Sequence, residues 1–206
     1  MPATSSVRNV AILVFDDVEV LDFCGPFEVF SVTGRNEDPP PFHVYTVAEK
    51  SGTITARNGL RVVPHFSLAE CPPPSLLVVP GGQGTRREMH NAPLLAWIAE
   101  RATATELTLS VCTGALILAK AALLEGLEAT THHGAIELLR ETAPRTKVDP
   151  RRRVVDNGRI ILSAGVAAGI DMSLYVVARL LGQEKAEETA RYIEYPWPRP
   201  GWETTG

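Results

Sequence analysis

The feature that most constrains the fold is a series of short apolar runs separated by segments with helical spacing. The runs have the length of strands and are nearly continuous in apolar residues, which is typical of strands covered on both faces of a sheet. They are residues 10–15, 42–47, 76–79, 107–111 and 160–163. Their alternation with helices predicts an α/β fold, a doubly wound sandwich with a mainly parallel central sheet. Folds of this class bind ligands at the carboxyl ends of their strands.

Helical spacing is found between and after these runs. Helices are predicted over residues 18–30, 94–102, 114–124 and 170–181. The first segment contains Gly25-Pro26, which we expect to interrupt or restart the helix because proline lacks the N–H that an inner helical turn donates. In the second, Asn91 is the predicted N-cap and Pro93 lies in the first turn. Gly182 is the predicted end of the last helix.

Length and composition favour a single globular domain over residues 1–206. With 206 residues, 45% hydrophobic and 21% charged, the chain has enough apolar material for one well-filled core. The tail, residues 195–206, is rich in proline and tryptophan and is predicted to be irregular. A net charge of −4 argues against nucleic acid as a partner. We interpret the basic run at residues 151–153 as part of a solvated loop.

Two further observations concern the cellular compartment. No apolar stretch reaches the roughly 18 residues that a membrane span needs, and the polar N-terminus has no secretory apolar region. The three cysteines, Cys24, Cys71 and Cys112, form neither a disulfide framework nor a zinc-binding pattern. We therefore expect a cytoplasmic protein that has no contact with a membrane and binds no metal.

Cys112 lies where the apolar run 107–111 ends and a helix of small residues begins. The pattern Ser110-x-Cys112-x-Gly114 is the cysteine counterpart of the G-x-S-x-G nucleophile elbow, in which glycine permits a sharp turn. A helix N-terminus lowers the pKa of a thiol, so we expect an exposed and ionised sulfur on Cys112. From this feature alone, a small buried core residue is the alternative.

Two other loops are expected at the same edge of the sheet. Gly81 and Gly82 follow the run 76–79, and glycines there let backbone N–H groups approach a ligand as an oxyanion hole requires; a simple tight turn is the alternative. The loop after the first strand is acidic. Its acids are Asp16, Asp17, Glu19 and Asp22. Asp22 has apolar neighbours on both sides and is the predicted functional acid beside the sulfur.

Together these segments resemble the PfpI-like family of the class I glutamine-amidotransferase-like superfamily, over about residues 10–195. The resemblance rests on the segments LDFCGPFEVF, VVPGG, SVCTGALILAKAALLEG, ATTHH and SAGVAAGID. It implies a flavodoxin-like sandwich, a homodimer, and a strained nucleophilic cysteine, Cys112, with Asp22 as its acid partner. It also implies that the backbone N–H groups of Gly82 and Thr113 are the oxyanion donors. The implied pocket residues are Gly81, His132 and Cys24.

Within that family the resemblance is to the isonitrile hydratases in particular, which carry L-D-x-x-G-P, S-V-C-T-G, T-T-H and A-G-I-D segments. It implies an enzyme, a hydro-lyase, that adds water to a small isonitrile and releases an N-substituted formamide through a thioimidate on Cys112, with no cofactor. The proteases of the family have histidine directly after the nucleophile and an acid that matches Asp16. This sequence has Thr113 after the cysteine, and threonine is no general base near neutral pH, so a protease is disfavoured.

Two other activities stay open at this stage. A stand-alone small-molecule or redox sensor is one, since an activated thiol oxidises readily. Related transcription regulators fuse such a domain to a helix-turn-helix module, for which we expect no room in a chain that ends at Gly206. The other is glyoxalase or deglycase chemistry, which also occurs in the superfamily.

Two positions depart from the family pattern. Cys24 stands where a residue other than cysteine is expected, and His133 follows His132 where an aromatic residue is common. Because neighbouring residues of an extended segment point to opposite faces, we expect one histidine to pack and the other to face the pocket, without a metal between them.

Overall fold

The structure of the protein is a computed structural model that describes residues 7–197. The described strands are β1 (Arg8–Leu13), β2 (Phe42–Ala48), β3 (Ile54–Thr55), β4 (Arg61–Val62), β5 (Phe66–Ser67), β6 (Leu76–Val79), β7 (Leu107–Val111), β8 (Glu128–Ala129), β9 (Lys147–Val148), β10 (Val154–Asp156) and β11 (Ile160–Ser163). The described α-helices are α1 (Val20–Val32), α2 (Thr85–Glu88), α3 (Ala92–Ala104), α4 (Gly114–Lys120), α5 (Ile136–Thr142), α6 (Ala168–Leu181) and α7 (Gln183–Tyr192). None of these helices is long and apolar enough to cross a membrane.

The centre of the fold is a seven-stranded sheet in the order β10-β11-β7-β6-β1-β2-β5. Every neighbouring pair is parallel except β10 and β11, which are antiparallel. The strands of the sheet centre are buried along their length, as strands covered on both faces must be. The predicted α/β class with a mainly parallel sheet is confirmed. The parallel strands β1, β6, β7 and β11 therefore present their carboxyl ends at one edge.

The helix ends that were predicted from local signals are confirmed in two cases. In α3 the Asn91 side chain accepts a hydrogen bond from the Leu94 N–H at 3.3 Å, and proline occupies the first turn. Helix α6 ends at Gly182, which has φ of 96°, a conformation that glycine adopts without steric cost.

The interruption expected at Gly25-Pro26 is wrong. Helix α1 runs unbroken from Val20 to Val32 with Pro26 inside it. Packing outweighs the local cost, because α1 packs on β1 and β2 of the sheet and against the helices α6 and α7. A Cβ added to Gly25 would lie 3.0 Å from the Ile170 side chain, so the small residue permits the two helices to approach closely.

The predicted end of the helix after Cys112 is also wrong. Helix α4 stops at Lys120 rather than at residue 124, and Ala122 adopts the left-handed conformation with φ of 58°. Alanine carries no sequence signal for that turn, whereas Gly126, at the expected end, does.

The described part of the C-terminal tail lies against the body of the domain. The Tyr195 hydroxyl donates to the Asp171 carboxylate of α6 at 3.2 Å, and Trp197 packs on the apolar core. Residues 198–206, the rest of the tail that was predicted to be irregular, lie outside the described residues, and the single-domain assignment stays a prediction.

Candidate active site

Cys112 occupies a strained turn between β7 and α4. Its φ is 57°, in the left-handed region that costs a residue other than glycine about 1 kcal/mol or more. Three hydrogen bonds hold this backbone. The Cys112 N–H donates to the Ser163 and Ala164 carbonyls at 3.2 and 3.0 Å, and the Thr131 hydroxyl donates to the Cys112 carbonyl at 2.7 Å. The conformation is thus imposed by the end of β11 and by residue 131 rather than by local preference.

Glycines allow the loops at this edge to meet. A Cβ on Gly114 would lie 2.0 Å from the Val79 carbonyl oxygen, so the start of α4 can approach β6 only without a side chain. At Gly81 an added Cβ would lie 2.5 Å from the Thr113 nitrogen and 2.8 Å from an Asp22 carboxylate oxygen. Gly81 is therefore the point at which the acid, the cysteine loop and the β6 loop converge.

Asp22 lies in the first turn of α1 and is fully buried. Its Oδ2 accepts a hydrogen bond from the Gly81 N–H at 3.0 Å, whereas Oδ1 has no hydrogen-bond partner of regular geometry among the described residues. Burial raises the pKa of Asp22 from 3.8 to about 7, although the Cys112 thiol and the Gly81 N–H, which stabilise the carboxylate, limit the rise. The structure thus places the predicted acid, Asp22, next to the thiol of the predicted nucleophile, Cys112.

The Cys112 sulfur differs from the sequence expectation. The residue is only 5% exposed, and burial together with the neighbouring Asp22 charge raises the pKa of its thiol from 9.0 to about 12. The expected exposed, ionised sulfur is therefore wrong: near neutral pH the group is a protonated thiol. Helix α4 has only seven residues, and its N-terminus does not offset the loss of solvent.

Two backbone N–H groups face the sulfur and lower the pKa of the thiol in part. One belongs to Thr113, a predicted donor, and the other belongs to Val166. Val166 is a β-branched residue at φ of 48°, a rare and costly conformation. Sequence reasoning missed this donor, because nothing in its residue type marks it. The available signal was its place at the carboxyl end of β11, between glycines at residues 165 and 169.

The N–H of Gly82, the other predicted oxyanion donor, has a partner within the protein. It donates to the Thr113 hydroxyl at 3.0 Å, and the Thr85 hydroxyl contacts the same oxygen at 3.2 Å. Thr113 thus ties the cysteine loop to the loop after β6 and offers no basic group to the sulfur. Donation from Gly82 to a substrate oxygen would need an exchange of partners and stays a prediction.

His132 lies beside this cluster, in partial contact with solvent. Its Nδ1 accepts the Gly134 N–H at 3.1 Å, which assigns the ring proton to Nε2. The ring packs on Gly165, where an added Cβ would lie 2.4 Å from His132 Cδ2. Burial, followed by the charges of His133 and Arg86, lowers the pKa of His132, so the ring is neutral near pH 7.

The expectation that the two histidines point to opposite faces is wrong. Their ring centroids lie 4.1 Å apart with the planes inclined by 35°, because His133 begins a 3₁₀ turn rather than continuing an extended segment. Over residues 7–197, no group of three or more His, Cys, Asp or Glu side chains is arranged to hold a metal ion.

Two further predicted residues are Asp16, the alternative acid, and Cys24, the predicted pocket residue. The Asp16 carboxylate accepts the Thr55 N–H at 2.7 Å and is exposed, so it serves a loop contact. Cys24 is half-buried in α1, two residues after Asp22, and burial raises the pKa of its thiol. Its role in the pocket stays a prediction.

Comparison with known proteins identifies the family. Residues 8–179 match the model of the DJ-1/PfpI family. The chain belongs to the DJ-1/PfpI family. This match confirms the resemblance inferred from the motifs around Asp22, Gly81 and Cys112, and it covers every strand of the central sheet.

Individual members of the DJ-1/PfpI family resemble the chain at different levels. An isonitrile hydratase of Pseudomonas putida is 32% identical over 197 residues, which are 95% of this chain and 82% of the enzyme. The crystal structure of a THiJ/PfpI family protein from Pseudomonas syringae superimposes with a TM-score of 0.84 at 32% identity, covering 98% of this chain and 80% of that one. Drosophila melanogaster DJ-1beta, at 18% identity and a TM-score of 0.81 over 93% of this chain and all of the other, shows the shared fold.

The DJ-1/PfpI family also includes regulators. The HTH-type transcriptional regulator GbdR of Pseudomonas aeruginosa is 24% identical over 194 residues. The match covers 94% of this chain but only 52% of the regulator. Family membership therefore establishes the fold, while the activity must be argued from the residues at the candidate site.

Proposed function

We propose that this protein is a cysteine-dependent hydratase that converts small isonitriles into N-substituted formamides, and that it acts as a cytoplasmic homodimer. The observation that carries the proposal is the buried Asp22–Cys112 pair, in which the pKa of the acid is about 7 and that of the thiol about 12. The 32% identity to an isonitrile hydratase over nearly the whole chain supports it.

The first step adds the thiol across the terminal carbon of R–N≡C. Asp22 carboxylate takes the proton from the Cys112 thiol as the sulfur attacks, and the protonated acid then delivers it to the same carbon. The S–H bond breaks, S–C and C–H bonds form, and the product is the thioimidate R–N=CH–S–Cys. Because the pKa of the thiol lies well above that of Asp22, the proton transfer is unfavourable by itself and must accompany formation of the S–C bond, after which the protonated acid gives the proton up readily.

The second step adds water to the carbon of the thioimidate, which gives R–NH–CH(OH)–S–Cys. The hydroxyl proton leaves, the carbonyl forms and the C–S bond breaks, so that the formamide R–NH–CHO is released and the sulfur recovers its proton through Asp22. The Thr113 and Val166 N–H groups that face the sulfur stabilise the negative charge it carries as it leaves. Cysteine is thus both nucleophile and leaving group, and water is the only co-reactant.

The same observations disfavour two other functions. Oxidation to sulfenic acid proceeds through the thiolate, and a thiol with a pKa of about 12 is almost wholly protonated near neutral pH, which suits a redox sensor poorly. The proteases that the sequence resembles have a histidine directly after the nucleophile, whereas this chain has Thr113 there, and the Thr113 side chain is engaged with Gly82 and Thr85.

The test is hydration of a panel of simple alkyl and aryl isonitriles, followed by infrared loss of the N≡C stretch and by detection of the formamide. We expect Cys112→Ala to lose at least about a thousandfold in kcat, as removal of a covalent nucleophile does. Cys71→Ala is the matched control, since that buried thiol donates to the Pro72 carbonyl at 3.3 Å, away from the site. Full hydration by Cys112→Ala, or a wild-type protein inert to the whole panel, would overturn the proposal.

A further inference from the structure

Arg86 carries a positive charge beside the active-site loop without a carboxylate partner. It lies in α2, and its Nη1 donates to the Gly82 carbonyl at 3.3 Å and to the Thr85 hydroxyl at 3.2 Å. Among residues 7–197 no carboxylate oxygen lies within 4.0 Å of the guanidinium, and Nε and Nη2 have no hydrogen-bond partner there. The adjacent Arg87, in contrast, pairs with Glu88 at 2.8 Å. The guanidinium is thus anchored at one nitrogen and has free donors at the others.

His132 places a second donor at the same rim. Its Nδ1 is occupied by the Gly134 N–H, so Nε2 carries the hydrogen. A Cβ added to Gly165 would lie 3.5 Å from Nε2, which puts this donor next to the loop whose Val166 N–H faces the Cys112 sulfur. Arg86 contacts Gly82 and His132 packs on Gly165, so both residues lie on loops that surround Cys112, and the Arg86 charge contributes to the lowered pKa of His132.

We propose that the Arg86 guanidinium and the His132 Nε2–H form a subsite for an anionic group, and that the preferred substrates are isonitriles that carry a carboxylate. This inference rests on the proposed function, because it names the substrate class of the same site. A carboxylate matches these donors: it accepts two N–H bonds from the planar guanidinium fork and has a lone pair left for the imidazole.

The other charges around the rim set the size of the effect. Glu19 acts on both His132 and Asp22 and forms no ion pair with Arg86 within 4.0 Å, so it repels an anionic substrate without neutralising the guanidinium. Arg86 is also partly open to solvent, which screens its charge. Preference for the anion over a neutral isostere should therefore amount to about three- to tenfold rather than to several orders of magnitude.

The first test compares kcat/KM for isocyanoacetate with kcat/KM for its neutral methyl ester. We expect Arg86→Gln to lower the ratio of acid to ester about three- to tenfold. Glu19→Gln should raise the ratio, and any effect on Asp22 cancels because both substrates share the chemistry. Arg87→Gln is the matched control: it removes the same charge from the same helix and should leave the ratio unchanged. Equal ratios in Arg86→Gln and Arg87→Gln would overturn the subsite.

A second measurement separates failure of the subsite from failure of the hydratase proposal. Iodoacetate and iodoacetamide alkylate the same sulfur and differ in charge, and the rate at Cys112 is followed by peptide mass spectrometry in the full chain. The iodoacetate-to-iodoacetamide ratio should fall in Arg86→Gln and stay constant in Arg87→Gln. A fall in a protein inert to isonitriles supports the subsite and rejects the hydratase; active hydration with neither ratio changed rejects the subsite alone.

Discussion

Asp22 shows how one buried carboxyl group destabilises the fold and serves the chemistry. Its pKa is 3.8 in the unfolded chain and about 7 in the folded protein, so between these values the folded state retains a proton that the unfolded state has lost. The group therefore favours folding less and less as the pH rises from 4 to 7. Above pH 7 the ionised, buried carboxylate destabilises the fold by on the order of 4 kcal/mol relative to its protonated form.

The substitution Asp22→Asn removes this charge and keeps the shape. We expect the variant to be more stable than the wild type at pH 8, by about 1 to 3 kcal/mol in the free energy of unfolding, with the difference vanishing near pH 4. Isonitrile hydration should fall at least about a hundredfold, because the amide neither accepts nor returns the thiol proton. Urea denaturation at several pH values, together with the infrared assay, measures both effects.

Glu28→Gln is the control for this prediction, since Glu28 is an exposed carboxylate on the same helix, α1. It should show no such pH-dependent gain. The wild-type kcat/KM should also decrease as the pH falls below about 7, where Asp22 becomes protonated and can no longer act as a base. An Asp22→Asn protein that is less stable than the wild type at pH 8 would show that the carboxylate is stabilised in the fold, contrary to this account.

At the scale of elements, the loops after β1, β6, β7 and β11 build the site, and the sequence predicts them unequally. The buried strands β6, β7 and β11 were predicted with their observed bounds, because strands covered on both faces are nearly continuous in apolar residues. The unbroken α1 was not, because its packing on α6 is a tertiary effect that overrides the local signal of Pro26. Two-residue strands such as β3 and β8 carry no periodic pattern to detect.

The candidate site was also predicted from the sequence only in part. Asp22, Gly81 and Cys112 were found from residue types at strand ends, because the carboxyl ends of parallel strands share an edge. The protonation state of the Cys112 thiol and the Val166 N–H donor were not predicted. Both depend on burial and on backbone conformation, which residue type does not encode. Sequence thus indicates which groups meet, and the packing around them determines their protonation.

Two glycines allow a test of how closely these loops approach. Gly82 and Gly52 have nearly the same φ, 126° and 128°, so alanine is strained equally at both. At Gly82 an added Cβ would lie 2.4 Å from the Asp17 carbonyl oxygen, whereas at Gly52 nothing lies within 4 Å. Gly52→Ala should cost about 1 to 2 kcal/mol and keep its activity, while Gly82→Ala should cost at least about 2 kcal/mol more and lose hydration.

Thermal unfolding and the infrared assay on both variants measure this difference. Because the conformational strain is common to the pair, the excess loss at Gly82 reports the steric clash with the β1–α1 loop. Equal stability of the two alanine variants would mean that this loop moves aside freely, and the site would then be less rigid than its contacts indicate.

At the scale of the whole molecule, Arg153 joins the edge of the sheet, helix α6 and the C-terminal segment. Its backbone carbonyl accepts the Ala164 N–H at 2.8 Å, and its side-chain Nε donates to the Asp171 carboxylate at 2.6 Å. The Tyr195 hydroxyl donates to the same carboxylate. Both ends of the loop that carries Val166 are therefore held by one residue.

The ion pair between Arg153 and Asp171 is the contact whose loss should affect the whole fold most. Asp171 is 1% exposed, and burial raises the pKa of its carboxyl while Arg153 opposes the rise. Arg153→Met leaves that carboxylate without a cation and should cost about 3 to 5 kcal/mol at neutral pH, less at low pH where Asp171 takes up a proton. Adding Asp171→Asn should recover much of this loss, because no charge then stays buried.

The control is Arg179→Met on α6, the helix that carries Asp171. It breaks a more exposed pair with Asp156 and should cost about 1 kcal/mol or less. Denaturant unfolding of the wild type and these three variants tests the prediction: an Arg153→Met protein no less stable than Arg179→Met would mean that water reaches Asp171 and that the loop of Val166 is held by its backbone bonds alone.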